Sequence, residues 1–205
     1  MRSETFSGIE SVKWLGVIAM IYDHLEVFAG WPLPFAAGIG GLAFPLFAVG
    51  LAAALADATL LKMRSISKRL LLIGLVAQVA VIFVRDPLPL NVLFSFCAGL
   101  GLYVAIKEKS FLFAIVAAVV ATLSEFSWPG ALVILAALAH YRDGASVGWM
   151  YAASVLLFPF NEMQLTAPLG VAVALWLVVN GPAIDRKKHA FYPIYVLQYP
   201  VLRFL

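Results

Sequence analysis

Four residues of unusual chemistry, Tyr22, Asp23, His24 and Glu26, sit inside an otherwise apolar stretch that follows Lys13. Ionisable groups at membrane depth cost a few kcal/mol each, so such a cluster calls for an explanation. His24 lies eleven residues after Lys13, which on a helix places it roughly 16 Å further along the axis, near the middle of a bilayer. Lys13, Val17, Met20 and His24 then share one helical face. That face joins a basic mouth to an imidazole at depth, an arrangement suited to a long anionic donor whose reactive end reaches inward. Asp23 and Glu26, three apart, share a neighbouring face. Two plainer readings stand beside this one: Asp23 and His24 can hold the bundle together by hydrogen bonds to other helices, and Glu26 is close enough to the outer interface to be solvated.

The elements that must position these residues follow from composition. Of the 205 residues, 63% are hydrophobic and 12% charged, against roughly half and a quarter in a soluble domain. Stretches such as Phe111 to Ala121 and Leu169 to Val179 are apolar on every face, which excludes the alternation of a barrel strand and points to helices in lipid. The fold class expected is therefore all-α: a polytopic transmembrane helical bundle forming one domain over 1–205. Breaks at proline, glycine and charge clusters predict about nine helices, at 9–30, 38–60, 67–84, 91–106, 110–124, 129–141, 147–160, 166–181 and 189–205. The segments at 129–141 and 147–160 are short enough to be tilted or re-entrant. The first stretch has no clear cleavage site and reads as an uncleaved first helix.

Basic residues are retained on the cytoplasmic side during insertion. With the N-terminus inside, that side receives Arg2, Lys13, Lys62, Arg64, Lys68, Arg69, Lys107, Lys109, Arg142, Arg186, Lys187 and Lys188, and the outer side receives Arg85 and Arg203. Twelve against two predicts an N-in, C-out topology in an inner, cytoplasmic membrane. The net charge of +3 is too small to argue for nucleic acid. Cys97 reads as a small core residue, Glu125 and Glu162 as solvated near the outer face, and His140 and His189 as residues of helix ends. Asn91, opening the fourth helix, is well placed as an N-cap. No metal is expected.

The glycine-rich run Gly40, Gly41, Leu42, Ala43, Phe44, Pro45, Leu46, Phe47 allows close helix approach and a bend at proline. Taken with the Asp23, His24 pair, with Asn91, Val92, Leu93, Phe94 ahead of Gly99 and Leu100, and with the terminal Phe191, Tyr192, Pro193, it resembles the TraX family over nearly the whole chain, in order. The resemblance implies a bacterial transmembrane acyltransferase, similar to pilin acetylases, that takes acetyl groups from cytoplasmic acetyl-CoA. It implies that His24 is the catalytic histidine and Asp23 its partner. A neutral imidazole can take a proton from an amine or hydroxyl as it attacks a thioester, and a carboxylate can fix the imidazole's tautomer. Adjacent residues on a helix point about 100° apart, so Asp23 is equally able to anchor a neighbouring helix.

The family often has an arginine where this chain has Gly41, and a histidine where it has Tyr195; both departures bear on substrate handling. The clusters Arg64, Lys68, Arg69 and Arg186, Lys187, Lys188, with Lys13 at the mouth, fit the phosphates of a coenzyme A donor, although topology and anionic lipid also explain them. Tyr22, Asn91 and Tyr195 are candidate donors to substrate or to an oxyanion. The acceptor classes left open are a pilin N-terminus, a polysaccharide hydroxyl and a small amine. The alternative functions are a proton-coupled permease using Asp23, His24 and Glu26, and a noncatalytic membrane scaffold.

Overall fold

A computed structural model of the chain describes residues 7–82, 88–161, 164–185 and 191–203, without the side chains of 192, 202 and 203. Among the described residues the fold is all-helical, with nine α-helices. They are α1 (Ile9–Ala29), α2 (Ala36–Ala54), α3 (Leu60–Ile82), α4 (Val92–Glu108), α5 (Phe111–Leu123), α6 (Ser127–Asp143), α7 (Gly148–Val155), α8 (Thr166–Asn180) and α9 (Phe191–Arg203). A single 3-10 turn, Phe158–Phe160, follows α7. One isolated bridge pairs Leu90 with Ser124.

The helix order matches the one expected from composition, and the largest departures in bounds concern α2, which ends at Ala54 rather than at 60, α3 and α7. α3 begins at Leu60 rather than at 67, because Met63, Ser67 and Leu70 bury one face and keep the polar stretch around them helical. The segment expected at 147–160 forms only eight residues of α-helix, about 12 Å, which is too short to cross ~30 Å of hydrocarbon by itself. Among the described residues two helices, α2 and α3, are long and apolar enough to span a membrane. α1 has the length, at 21 residues, but carries Glu10, Lys13, Asp23 and Glu26.

α2 is the centre of the bundle and packs against α1, α6 and α8. Glycines report the directions: Gly16 faces Phe47, while Gly50 faces Val12 and Lys13, so α1 and α2 are antiparallel. Gly170 of α8 lies on Leu42 and Pro45, and α8 runs parallel to α2. α4 packs on α3, α5 and α6, and α9 closes the bundle against α1 and α3. Buried Val12, Leu46, Val49, Met63, Leu100, Ile134 and Met150 form the core.

This arrangement collects charge at one end. There Lys107 pairs with Asp143 at 2.8 Å, Arg64 pairs with Glu108, and Arg142 donates to the carbonyls of Leu55 (2.7 Å), Ala56 (3.0 Å) and Ala58 (2.6 Å). Arg142 thus adds charged donors to carbonyls of the turn where α2 ends, and it fixes the turn between α2 and α3. The outward faces are apolar instead: Leu72, Leu75, Val76 and Val79 on α3, and Leu112, Ile115, Val116 and Val119 on α5, are all exposed. Water-soluble proteins rarely present contiguous apolar faces of that kind.

Candidate functional site

A cavity of about 900 Å³ opens at the charged end and runs inward between α1, α2, α3, α4 and α9. Its volume is in the range of small-molecule sites. α1 supplies one wall, and the four residues predicted to share a face, Lys13, Val17, Met20 and His24, all line it. α9 supplies another with Phe191, Tyr195 and Tyr199, each one turn apart. α3 contributes Lys62, Ile66, Arg69 and Leu70, which share a face because the helix starts early enough to include Lys62.

The mouth is polar. Lys13 donates to Glu10 and lies 4.6 Å from the centre of the Phe191 ring; Lys62 and Asp57 line the cavity with it, and Arg69 lines it about two turns further along α3, next to Leu70. The middle is apolar, walled by Val17, Met20, Phe47, Ile66 and Leu70. The deep part holds Asp23, His24, Glu125, Tyr195 and Tyr199 beside a cluster of phenylalanines. Phe44 is 4.5 Å from Phe126 and 5.1 Å from Phe96, centre to centre.

His24 is half-buried, its ring 5.0 Å from Phe28 in an edge contact and 5.5 Å from Tyr199. Tyr199 and Tyr195 are both buried, and the Tyr199 hydroxyl donates to the Tyr195 oxygen at 3.0 Å. A phenol that accepts such a bond becomes a better donor through its own hydrogen. Asp23 packs on α2 at Gly40, where a side chain would collide with it. His24 thus meets the aromatic rings of α1 and α9, and Asp23 meets the glycine of α2.

Other predicted residues lie elsewhere. Asn91 is fully buried but caps α4 and ties it to α3: its Oδ1 accepts from the Leu93 N–H at 3.1 Å, and its Nδ2 donates to Gly74 O at 2.8 Å and to Gln78 Oε1 at 2.9 Å. Tyr22 donates to Pro34 O at 3.1 Å. Neither lines the cavity, which leaves Tyr195 of the three candidate donors. Arg64 is turned to Glu108 and the Phe113 ring, and Lys68 is exposed on a different face from Arg69. Arg186, Lys187 and Lys188 lie outside the described residues, as does Glu162. Glu26 is exposed and off the cavity, whereas Glu125 is half-buried and lines it, unlike the solvated position expected.

Gly41 is not a cavity residue. The space beside it is filled from α8 and the turn before it, by Thr166 and Asn161. Sequence reasoning missed Glu10, Tyr199 and the inward placement of Lys62. Tyr199 had a signal, being four residues after Tyr195 on a helix, and Glu10 had one in its three-residue spacing from Lys13.

A helical bundle with apolar outward faces and a charged mouth leading to a histidine deep in its interior defines a membrane-type protein with an enclosed polar site. The model of the TraX protein family matches residues 8–205, and the chain belongs to the TraX family. No protein of curated function matches it, and no solved structure does.

Proposed function

We propose that this protein is a multi-pass acyltransferase of the inner membrane that moves an acetyl group from cytoplasmic acetyl-CoA to an amine or hydroxyl acceptor, with His24 as general base. One observation carries this reading: a single cavity joins the cations Lys13, Lys62 and Arg69 to His24 and Asp23. The basic end faces the cytoplasm, in keeping with the distribution of lysine and arginine. The donor's phosphates bind at Lys13, Lys62 and Arg69, its arm lies along the apolar middle, and its thioester reaches His24. Family membership supports the same chemistry.

In the reaction, the acceptor nitrogen or oxygen attacks the thioester carbonyl while His24 takes its proton. The charge that develops on the carbonyl oxygen is met by the Tyr195 hydroxyl, polarised by Tyr199. The tetrahedral intermediate then collapses, breaking the carbon–sulfur bond, and the departing thiolate receives the proton held by His24. Asp23 supports the imidazolium by its negative charge. No covalent enzyme intermediate is required. The permease reading needs Glu26 as a station in the path, and Glu26 is exposed and off the cavity.

The test is release of free thiol by the reconstituted protein, given acetyl-CoA with pilin N-terminal peptide, polysaccharide and small-amine acceptors in turn. Acceptor-dependent release that disappears in a His24→Ala variant of unchanged melting temperature is expected. Release that survives in that variant removes His24 from the mechanism.

A further inference from the structure

Glu10 is a buried acid at the cavity mouth that the proposed acyl transfer does not use. It is 8% exposed, on the first turn of α1, and that turn is held in place on both sides. The Gly8 N–H donates to Val178 O at 3.3 Å, and the Ser11 hydroxyl donates to Pro182 O at 2.7 Å. One carboxylate oxygen, Oε1, accepts from Lys13. The other, Oε2, is buried with no hydrogen-bond partner among the described residues. A buried carboxylate oxygen left in that state is unfavourable, and an N–H donor from a ligand relieves it.

The geometry points to Glu10 as the residue that recognises the base of the donor, by accepting a hydrogen bond from the exocyclic amine of its purine. This inference rests on the acyltransferase reading and adds the nucleotide class that the mouth selects. Glu10 is fourteen residues before His24 on the same helix, roughly 21 Å along the axis. A donor whose thioester sits at His24 therefore has its nucleotide end at Glu10. Its phosphates are drawn to Lys13, Lys62 and Arg69, and a carboxylate among those cations repels phosphate. What it attracts on the nucleotide is an N–H group, and the purine amine supplies one. Phe191 and Ile9, which also line the mouth, give the ring apolar walls. A 6-oxo purine would present a carbonyl oxygen to Oε2 instead, with repulsion in place of a bond.

The experiment is calorimetric titration of the purified full chain with coenzyme A and with its hypoxanthine analogue, in which oxygen replaces the amine. Wild type is expected to bind coenzyme A roughly tenfold more tightly, or better, the effect of a hydrogen bond to a charged group. Glu10→Ala is expected to bring the ratio of the two affinities to about one. Equal affinities in wild type overturn the inference while leaving the donor reading standing, and that comparison needs no variant to fold. Failure of folded wild type to bind coenzyme A at all overturns the donor reading, and this inference with it.

Discussion

Asp23 of α1 occupies the space where Gly40 of α2 would carry a side chain: a Cβ built there lies 2.6 Å from the Asp23 Cβ and closer still to its carboxyl group. Only a glycine lets the two helices meet with the carboxylate between them. Gly40→Ala is therefore expected to displace Asp23 and to lower acetyl transfer by about tenfold or more, through lost charge support of His24. Gly50→Ala is the stability control, since a Cβ there finds Val12 at 3.4 Å, ordinary contact, and alanine favours the helix by about 0.5–1 kcal/mol. Thermal unfolding of both variants, with thiol-release kinetics of the first, checks this. A Gly40→Ala enzyme of wild-type rate would show that Asp23 has no part in the chemistry.

The tyrosine pair gives a graded expectation. Tyr195→Phe removes the donor proposed for the oxyanion and is expected to lower kcat by about 10²-fold or more. Tyr199→Phe leaves Tyr195 in place but removes the bond at 3.0 Å that polarises it, and is expected to cost about three- to tenfold, the worth of an ordinary hydrogen bond. The double variant should cost little more than Tyr195→Phe alone, because the second hydroxyl acts through the first. Additive losses in this cycle would give Tyr199 an independent role.

Asn91 illustrates how a motif residue can be structural. Its cap bond to Leu93 and its two donor bonds to α3 are all made inside the protein, so nothing remains to offer a substrate. Asn91→Ala is expected to destabilise the fold by about 2–3 kcal/mol, a lost cap together with the two lost donor bonds to α3; the backbone N–H of residue 91 still reaches Gln78 Oε1, at 2.8 Å in the wild type. Turnover per folded molecule should stay near wild type. Asn91→Asp keeps the cap oxygen but sets a carboxylate oxygen against Gly74 O and Gln78 Oε1 in a buried site, and is expected to be at least as destabilising as alanine. A loss of turnover without a loss of stability would return Asn91 to the active site.

Much of this site was legible before any coordinates. The period of α1 put Lys13, Val17, Met20 and His24 on one face, and spacing alone suffices for that because a helix's internal geometry is fixed. Which basic residue of α3 faces inward was not legible from composition. Lys62, Arg64, Lys68 and Arg69 differ in direction by multiples of 100°, and a helix begun at 67 left Lys62 and Arg64 outside it, which hid that all four belong to one helix whose buried side is set by Met63, Ser67 and Leu70. Tertiary partners were further out of reach. That Gly41 is filled by Thr166 and Asn161, and that Glu125 turns into the cavity, depend on α8 and on the turn before α6 arriving from distant parts of the chain.

Arg142 holds the cavity mouth in shape without entering it. Its bonds reach three consecutive-turn carbonyls, Leu55, Ala56 and Ala58, while Nε donates to Tyr103 at 3.2 Å. Leu55, Asp57 and Ala58 line the mouth. Arg142→Ala is expected to lower stability by about 2–3 kcal/mol, because partly buried carbonyls lose charged donors, and to raise KM for the donor more than it lowers kcat. Lysine has one point of charge where arginine has a planar fork, so Arg142→Lys should recover only part of the loss. Unfolding curves and steady-state kinetics read the two effects separately; an unchanged KM would mean that the turn keeps its shape without the clamp.

Four basic residues on one helix separate a binding role from a topological one. Lys62 and Arg69 line the cavity, whereas Arg64 is paired with Glu108 and Lys68 is exposed on another face. All four add equally to the positive charge that orients the helix in the membrane, so a purely topological role makes the four alanine variants equivalent. A donor held by charge does not. Lys62→Ala and Arg69→Ala are each expected to weaken coenzyme A binding by about tenfold, as loss of a charge-assisted contact to phosphate does, and the effect should shrink as salt is raised. Arg64→Ala and Lys68→Ala should stay within about twofold of wild type. Titration of the four variants at low and high ionic strength makes the comparison, and equal behaviour of all four would leave orientation in the membrane as the sufficient account of these charges.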